Sequence, residues 1–335
     1  MIEKTLWNFV IFLLASLFAL TPLHAANESE TLGIALEGYV YPHPVRFHHI
    51  QHRGEDLRMA YMDVAPTAAA NGETVLLMHG ANFFGAYWQQ TISALSGAGY
   101  RVVVPDQIGF GKSSKPVVPY SFHWLAFNTK SLLDQLKIER VHLVAHSMGG
   151  MLATRFSLMY PDTVARLVLA NPIGLEDYRV KVPWVPTKRI YQALLKRTEK
   201  DIRRYHETYY VQWKPEYDEL VMVHARMQSS AQFPQFARVR ALIAQMIYEQ
   251  PVVYEFGLLQ QPTLLVIGQE DRTALGKGRV SAEIRKELGQ YPVLGRRTHK
   301  AVANSTLLEW ADIGHVPHLE APNRFNAALL EFFTG

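Results

Sequence analysis

The stretch Ala145-His146-Ser147-Met148-Gly149-Gly150 decides the fold, because of what lies on either side of it. Residues 141–144 are a short apolar run typical of a buried strand, and residues 151–160 have the pattern of a helix. A serine between the two lies on a sharp turn that exposes its hydroxyl at the carboxyl edge of a sheet. The two glycines supply the small neighbours that this turn needs, while Ala145 stands where the pattern G-x-S-x-G has glycine.

A nucleophilic serine needs a histidine as base and an acid to orient it, and after such a turn they follow in the order acid, histidine. Residues 263–267 form an apolar run that leads to Asp271, so a carboxylate follows a predicted strand. Residues 307–310 form another apolar run, and His315 follows it on a predicted loop. The chain order therefore indicates a reacting set of Ser147, a carboxylate near Asp271 and a histidine near His315.

Other residues compete for two of these roles. His318 is a second candidate base, but Gly314 lets the loop before His315 turn toward the serine, whereas His318 precedes the predicted last helix. Three further carboxylates follow predicted strands and compete with Asp271 for the acid: Glu270, Glu176 and Asp177.

Two loops after predicted strands belong to the same edge of the sheet. Residues 74–78 are a strand pattern that stops at His79-Gly80-Ala81-Asn82, where backbone N–H groups can face the serine as half of an oxyanion hole. The N–H of Met148 would supply the other half. Residues 106–113 end in Gly-Lys-Ser like a phosphate-binding loop, but Asp106 occupies the position of its leading glycine and would repel phosphate.

The chain resembles the α/β-hydrolase superfamily over about residues 54 to 334, in the branch that carries a cap over the core. That branch includes meta-cleavage product hydrolases, cofactor-free haloperoxidase-like esterases and haloalkane dehalogenases. The resemblance rests on five features in order: His79-Gly80, the D-x-x-G-x-G-x-S run of residues 106–113, the turn at Ser147, Asp271, and Gly314-His315.

The resemblance implies that Ser147 is the nucleophile, His315 the general base and Asp271 its orienting acid. It also implies that the backbone N–H groups of Ala81 and Met148 form the oxyanion hole. A serine at position 147 argues against the dehalogenases and epoxide hydrolases of the superfamily, which use aspartate there. The chain departs from the pattern at Ala145, and in a longer basic stretch between acid and histidine, residues 277–300.

Length and composition agree with one catalytic domain. The chain has 335 residues, 48% of them hydrophobic, and its strand patterns alternate with helical ones. This predicts the α/β class, a mostly parallel sheet flanked by helices, with residues 33–53 and 57–64 as antiparallel edge strands. A single domain is predicted over residues 27–335. A helical cap of about residues 173–256 is predicted to follow the strand that ends near Asn171, with helices over 188–210 and 235–250.

The N-terminus has the pattern of a secretory signal peptide. Lys4 precedes an apolar stretch over residues 9–20, and small residues follow at Ala25 and Ala26. We therefore expect residues 1–26 to be a signal peptide, with an uncleaved membrane anchor as the alternative. Because the chain contains no cysteine, it has no disulfide and no lipid-bearing thiol. The expected location is the bacterial periplasm or the medium.

Charge and composition limit the partners. The net charge of +4 requires no nucleic acid to explain it, and no metal or cofactor is implied. The expected partner is a small molecule with an acyl group. The basic residues within 181–204 are most simply a solvated helix face, with attraction of an anionic substrate or of lipid headgroups as the other interpretation. The sequence does not indicate an oligomeric state.

Three functions fit these residues. The first is a serine hydrolase that cleaves a small or medium carboxylic ester through an acyl-enzyme. The second, suggested by the resemblance of residues 147–150 to meta-cleavage hydrolases, cleaves a carbon–carbon bond in a vinylogous diketone, although export from the cytoplasm fits such a pathway poorly. The third is a non-catalytic member of the fold that only binds a ligand.

Overall fold

The computed structural model describes residues 31–335, so the predicted signal peptide lies outside the described residues. Eight strands form one sheet in the order β1-β2-β4-β3-β5-β6-β7-β8. The pairs β1–β2 and β2–β4 are antiparallel, and all other neighbours are parallel. Their bounds are β1 Val45–His52, β2 Glu55–Val64, β3 Thr74–Met78, β4 Arg101–Pro105, β5 Val141–His146, β6 Val164–Ala170, β7 Thr263–Gly268 and β8 Ser305–Trp310.

Helices cover both faces of the sheet and confirm the predicted fold class. The core helices are α1 Gln89–Gly97, α2 Phe122–Gln135, α3 Met148–Met159, α8 Ala282–Glu287, α9 Tyr291–Ala301, α10 Pro317–Glu320 and α11 Pro322–Thr334. Alternate residues of the buried strands belong to opposite faces, because side chains along a strand point alternately up and down. In β7, Leu265 packs with residues of α2, α3 and α9, whereas Leu264 and Val266 pack with those of α1 and α11.

Four helices lie between β6 and β7 as the predicted cap: α4 Thr187–Leu195, α5 Glu199–Glu207, α6 Asp218–Gln228 and α7 Phe233–Glu249. The prediction of one continuous helix over residues 188–210 is wrong in one respect, because residues 196–198, between α4 and α5, are not helical. A new helix begins after Thr198 because this residue is the N-cap of α5. Its side chain accepts a hydrogen bond from the N–H of Asp201, and the Asp201 carboxylate accepts one from the N–H of Thr198. Helix α6 was not predicted.

The N-terminal part of the edge strand predicted over residues 33–53 is not a strand. Strand β1 begins only at Val45, and residues 33–44 form turns instead. Three apolar side chains of this segment, Leu32, Ile34 and Leu36, are buried in one cluster with residues of α6 and α7. Burial of a side chain of this size contributes about 1.5–3 kcal/mol. Packing against the cap therefore outweighs strand pairing here.

No helix among residues 31–335 combines the length and the hydropathy that a membrane span requires.

The close contact between α3 and β3 can be tested at Gly149. A Cβ there would lie 2.6 Å from the carbonyl oxygen of Met78, a backbone atom that cannot move aside. We expect Gly149→Ala to lower the free energy of unfolding by about 1–3 kcal/mol, measured by urea denaturation. Gly97→Ala is the matched control, because a Cβ at Gly97 in α1 meets nothing within 4 Å. An equal loss in both variants would contradict the close contact.

Candidate active site

Ser147 lies on the turn between β5 and α3 in a backbone conformation that side chains rarely adopt. Its φ is 56° and its ψ is −121°. Strain of this kind costs about 1–3 kcal/mol, so the surrounding structure must hold it. The N–H of Ser147 donates to the carbonyl of Ala170 at 3.2 Å, and its own carbonyl accepts from Gly150 at 2.9 Å and Ile173 at 3.1 Å. These bonds tie the turn to the neighbouring strand and fix the serine hydroxyl at the carboxyl edge.

The small residues around the serine are explained by close contacts. A Cβ at Gly150 would lie 2.4 Å from Cβ of Pro172, and one at Gly149 would meet the backbone of β3. Ala145, the departure from the usual glycine, is fully buried in β5 and packs within the apolar core on one face of the sheet. The turn therefore forms with a methyl group at that position.

The three residues predicted as the reacting set lie in one hydrogen-bonded row. Nε2 of His315 lies 3.0 Å from Oγ of Ser147, and Nδ1 of His315 lies 2.6 Å from Oδ2 of Asp271. The side chains of His315 and Asp271 are completely buried, and Ser147 is 5% exposed. Because β5, β7 and β8 are parallel, the residues that follow them meet at one edge of the sheet.

The Asp271 carboxylate is held in its charged form. Burial alone would raise the pKa of Asp271, but the charge of His315 and the hydrogen bonds from His315 and Thr273 outweigh it and leave that pKa below its ordinary value. The N–H of Thr273 donates to Oδ1 at 2.7 Å. A carboxylate with these donors can orient an imidazole and stabilise its charged form.

Asn171 is a further partner of the acid that the sequence analysis missed. Its Nδ2 donates to Oδ2 of Asp271 at 2.9 Å, and its Oδ1 accepts from the N–H of Gly268 at 2.9 Å. Asn171 has a positive φ of 38° at the end of β6, beside β7. The signal that could have indicated this role is that a polar residue, Asn171, directly follows a strand that neighbours the strand leading to the acid.

The competing acids have other surroundings. Glu270 is exposed. Asp177 forms an ion pair with Arg179 at 2.8 Å, and the Glu176 carboxylate accepts from the N–H of Gly289 at 2.7 Å. The structure therefore brings Asp271 to His315 and leaves these three carboxylates with partners elsewhere or in solvent.

His318, the other candidate for the base, packs against aromatic side chains in the core. Its ring stacks on that of Trp88 with centroids 4.0 Å apart, and neither of its ring nitrogens forms a hydrogen bond within residues 31–335. Burial, together with the nearby charge of His315, holds the pKa of His318 well below its ordinary value. The side chain is therefore a neutral part of the packing under the serine.

The loop of residues 79–82, here called the oxyanion loop, lies against Ser147. A Cβ at Gly80 would lie 3.0 Å from Cβ of Ser147. Within the described part of the chain, the N–H groups of Ala81 and Met148 donate to no protein acceptor. Met148 is also the first residue of α3, where helical N–H groups lack partners. Both predicted oxyanion donors are thus free to bind a ligand oxygen.

The glycine-rich run of residues 106–113 has a structural role. The Asp106 carboxylate accepts from the Tyr41 hydroxyl at 2.6 Å, the N–H of Gly85 at 2.7 Å and the N–H of Lys112 at 2.8 Å. The carboxylate fills the centre of the loop where a phosphate would have to bind. No group of three His, Cys, Asp or Glu among residues 31–335 is arranged to hold a metal ion.

A cavity under the cap approaches the oxyanion loop. Its basic lining side chains are Arg197, His206, His224 and Arg240, and no Asp or Glu lines it. A second cavity shares His224 and Arg240 with the first and is also lined by Ala81. Ser147 and His315 line neither of these two cavities.

Arg240 of α7 is the most unusual residue of this lining. Its guanidinium donates to the carbonyl of Ala81 and to Oδ1 of Asn82, and it lies 5.5 Å from the centroid of the Phe110 ring. Burial lowers the pKa of Arg240 to about 10, so the group stays charged at neutral pH. No carboxylate within residues 31–335 forms an ion pair with it. Nothing in the sequence singled this arginine out from the other basic residues of the cap.

The chain is similar to known hydrolases in both sequence and fold. A model of the alpha/beta hydrolase fold family matches residues 73–322. A probable hydrolytic enzyme from Pseudomonas aeruginosa PAO1, which has a crystal structure, is 47% identical to the chain in sequence. The two structures align with a TM-score of 0.89 over 91% of this chain and 99% of that one. The similarity therefore extends over the sheet and the cap.

Proteins named as a dienedioate hydrolase and a meta-cleavage product hydrolase are also similar to the chain over most of their length. A 2-hydroxy-6-oxononadienedioate/2-hydroxy-6-oxononatrienedioate hydrolase of Paraburkholderia phymatum is 28% identical over 290 residues, 83% of this chain and 92% of that protein. A meta-cleavage product hydrolase from Pseudomonas fluorescens IP01 has a TM-score of 0.61 at 24% identity, covering 86% of this chain and 97% of its own, and shows the shared fold alone. The chain belongs to the alpha/beta hydrolase fold family.

Proposed function

We propose that Ser147 is the nucleophile of this hydrolase, His315 its general base and Asp271 the acid that orients the base. The hydrogen-bonded row Ser147–His315–Asp271 is the observation that carries the proposal. His315 takes the proton of Ser147 as Oγ attacks a carbonyl carbon, and the N–H groups of Ala81 and Met148 bind the resulting oxyanion. An acyl-enzyme forms, and water activated by the same histidine releases the acid.

We infer a substrate of the 2-hydroxy-6-oxo-dienoate class, with hydrolysis of a carbon–carbon bond. Two observations support this choice over the ester that the sequence alone favoured. The curated relative from Paraburkholderia phymatum acts, by its name, on such a compound, and it spans most of this chain. The cap cavity offers the positive charge of Arg240 without a carboxylate partner, which suits the carboxylate that every member of this class carries.

The chemistry requires a stabilised leaving carbon. Attack of Oγ on the ketone carbon gives a tetrahedral oxyanion, and the bond from that carbon to its neighbour then breaks. This requires that the substrate has first tautomerised to its 2,6-dioxo form, in which the proton of the 2-hydroxyl has moved to the carbon beside the ketone. The electron pair of the broken bond then passes through the remaining double bond to the 2-oxo group, giving a dienolate that takes up the proton held by His315, while the acyl group stays on Ser147. Water then hydrolyses the acyl-enzyme to a carboxylic acid. A positive charge near the conjugated acid would stabilise the departing carbanion, because charge in a water-poor site acts strongly.

A carboxylic ester is the second candidate. The signal peptide predicted over residues 1–26 favours it, because export would separate the enzyme from a cytoplasmic ring-cleavage pathway. Both candidates use the same acyl-enzyme, so the assay must compare substrates. Rates with 2-hydroxy-6-oxo-6-phenylhexa-2,4-dienoate and p-nitrophenyl butyrate decide between them: turnover of the ester with no cleavage of the dienoate would refute the carbon–carbon proposal.

The nucleophile is tested by a fluorophosphonate probe, which labels activated serines covalently. We expect the parent protein to be labelled and Ser147→Ala to remain unlabelled and inactive, because alanine lacks Oγ. Circular dichroism of the variant would show that the fold is intact. A parent protein that is not labelled would favour a non-catalytic binding protein, and labelling of Ser147→Ala would place the nucleophile elsewhere.

The acid is tested by replacing each candidate carboxylate with its amide. Asp271→Asn should lower kcat by about four orders of magnitude, the loss known for the equivalent change in a serine protease, because the imidazole tautomer is no longer fixed. Glu270→Gln and Asp177→Asn are the matched controls, and each should change kcat/KM by less than about tenfold, or ~1.4 kcal/mol. A large loss confined to a control would move the acid.

The role of Arg240 is tested by selectivity. Arg240→Met removes the charge at similar length, so kcat/KM for the dienoate should fall at least about tenfold more than kcat/KM for the neutral ester, since a charged hydrogen bond contributes roughly 1.5–3 kcal/mol. Arg238→Met, on the exposed side of the same helix, is the control. Equal losses on both substrates would show that Arg240 supports the loop without selecting the anion.

A further inference from the structure

Two separate chains of hydrogen bonds join the oxyanion loop to the histidine loop, which is defined here as residues 311–316. One chain runs through the core beneath Ser147, and the other runs through the cap above it. The two loops are far apart in the sequence and follow different strands, β3 and β8. Neither chain includes an atom of the row Ser147–His315–Asp271 other than backbone atoms of His315.

The core chain passes through Tyr87 and His146. The N–H of Gly80 donates to the Tyr87 hydroxyl at 3.1 Å, and that hydroxyl lies 3.0 Å from Nδ1 of His146. Nε2 of His146 lies 2.8 Å from the carbonyl oxygen of His315. A carbonyl only accepts, so Nε2 of His146 carries the proton, and Nδ1 accepts from the hydroxyl of Tyr87.

Burial keeps this chain in one protonation state. His146 is completely buried, and burial holds the pKa of His146 well below its ordinary value. A neutral imidazole has one donor and one acceptor, and both are used here. The direction of every bond from Gly80 to His315 is therefore fixed.

The cap chain passes through Tyr209, which follows α5. The N–H of His315 donates to the carbonyl oxygen of Tyr209 at 2.6 Å. The Tyr209 hydroxyl accepts from Nδ2 of Asn82 at 2.6 Å, and the Tyr209 ring lies 4.7 Å from the ring of His315. Tyr209 is 4% exposed. The backbone of His315 is thus held at its N–H by the cap and at its carbonyl by the core.

We propose that Tyr87, His146 and Tyr209 are positioning residues that set the distance between the oxyanion N–H groups and the imidazole of His315. The proposal rests on the proposed function, in which Ala81 and His315 act on the same substrate. Oxyanion donors and base must be aligned within about 0.5 Å, and a misplacement of about 1 Å can cost 100-fold in rate. Because one of the two chains belongs to the cap, the seated cap completes the alignment.

A positioning role is distinguished from a packing role by measuring how each variant changes kcat and how it changes KM. Tyr87→Phe and Tyr209→Phe each remove one link and little volume. We expect kcat for whichever of the two assay substrates the parent turns over faster, the dienoate or p-nitrophenyl butyrate, to fall about 10- to 100-fold in each, with KM changed less than about threefold. Tyr120→Phe is the matched control, because its buried hydroxyl donates only to the carbonyl of Pro116, at 3.0 Å. It should lose similar thermal stability and keep its kcat.

A second pair of variants keeps the test valid if a tyrosine variant folds poorly. Glutamine retains one donor and one acceptor, so His146→Gln should keep at least about ten times the kcat of His146→Leu, which retains neither. Values of kcat within twofold of the parent for Tyr87→Phe, or equal kcat for the two His146 variants, would overturn the proposal. Failure of the proposed function would appear differently, as activity that persists in Ser147→Ala.

Discussion

The strained backbone of Ser147 is the constraint on which the rest of the site depends. A φ of 56° turns the chain from β5 into α3 within one residue, so the hydroxyl points away from the sheet and the N–H of Met148 stays free. The turn is possible only because α3 approaches β3 with no side chain at Gly149 between them. That same approach places the oxyanion loop against the serine. One local conformation therefore determines where the proposed nucleophile and the proposed oxyanion donors meet.

The second requirement of the site is that the Asp271 carboxylate stays charged although it is buried away from water. Asp271 and His315 are buried completely, which would be costly for an isolated carboxylate. The cost is offset by donors that the fold brings from three directions: Nδ1 of His315, the N–H of Thr273 and the amide of Asn171. Parallel strands make this possible, because their carboxyl ends collect residues distant in sequence at one edge. Burial keeps the interaction strong, since little water screens it.

The sequence predicted the core better than the cap, and the reason is physical. Strand β3 has the bounds that its apolar run indicated, because buried parallel strands are nearly uniform in hydrophobicity. The break at Thr198, the helix α6 and the turns of residues 33–44 depend on contacts between segments far apart in sequence. Tyr209 could not be found from local patterns for the same reason, because its hydrogen-bond partners, Asn82 and the backbone of His315, lie far from it in the sequence.

The division between core and cap also explains where specificity must lie. An ester and a vinylogous ketone need the same nucleophile, base and oxyanion donors, and these all come from loops of the core. The two substrates differ in the group that departs, so the residues that distinguish them must lie outside these loops, and the proposed one is Arg240 of the cap, which is bonded to the oxyanion loop. A cap residue that lines the cavity and contacts the backbone of Ala81 would couple recognition of the leaving group to the geometry of the proposed oxyanion hole. Under the proposed function, selectivity and rate would then depend on the same contact, because a substrate carboxylate bound to Arg240 would act on the residue that holds the oxyanion loop.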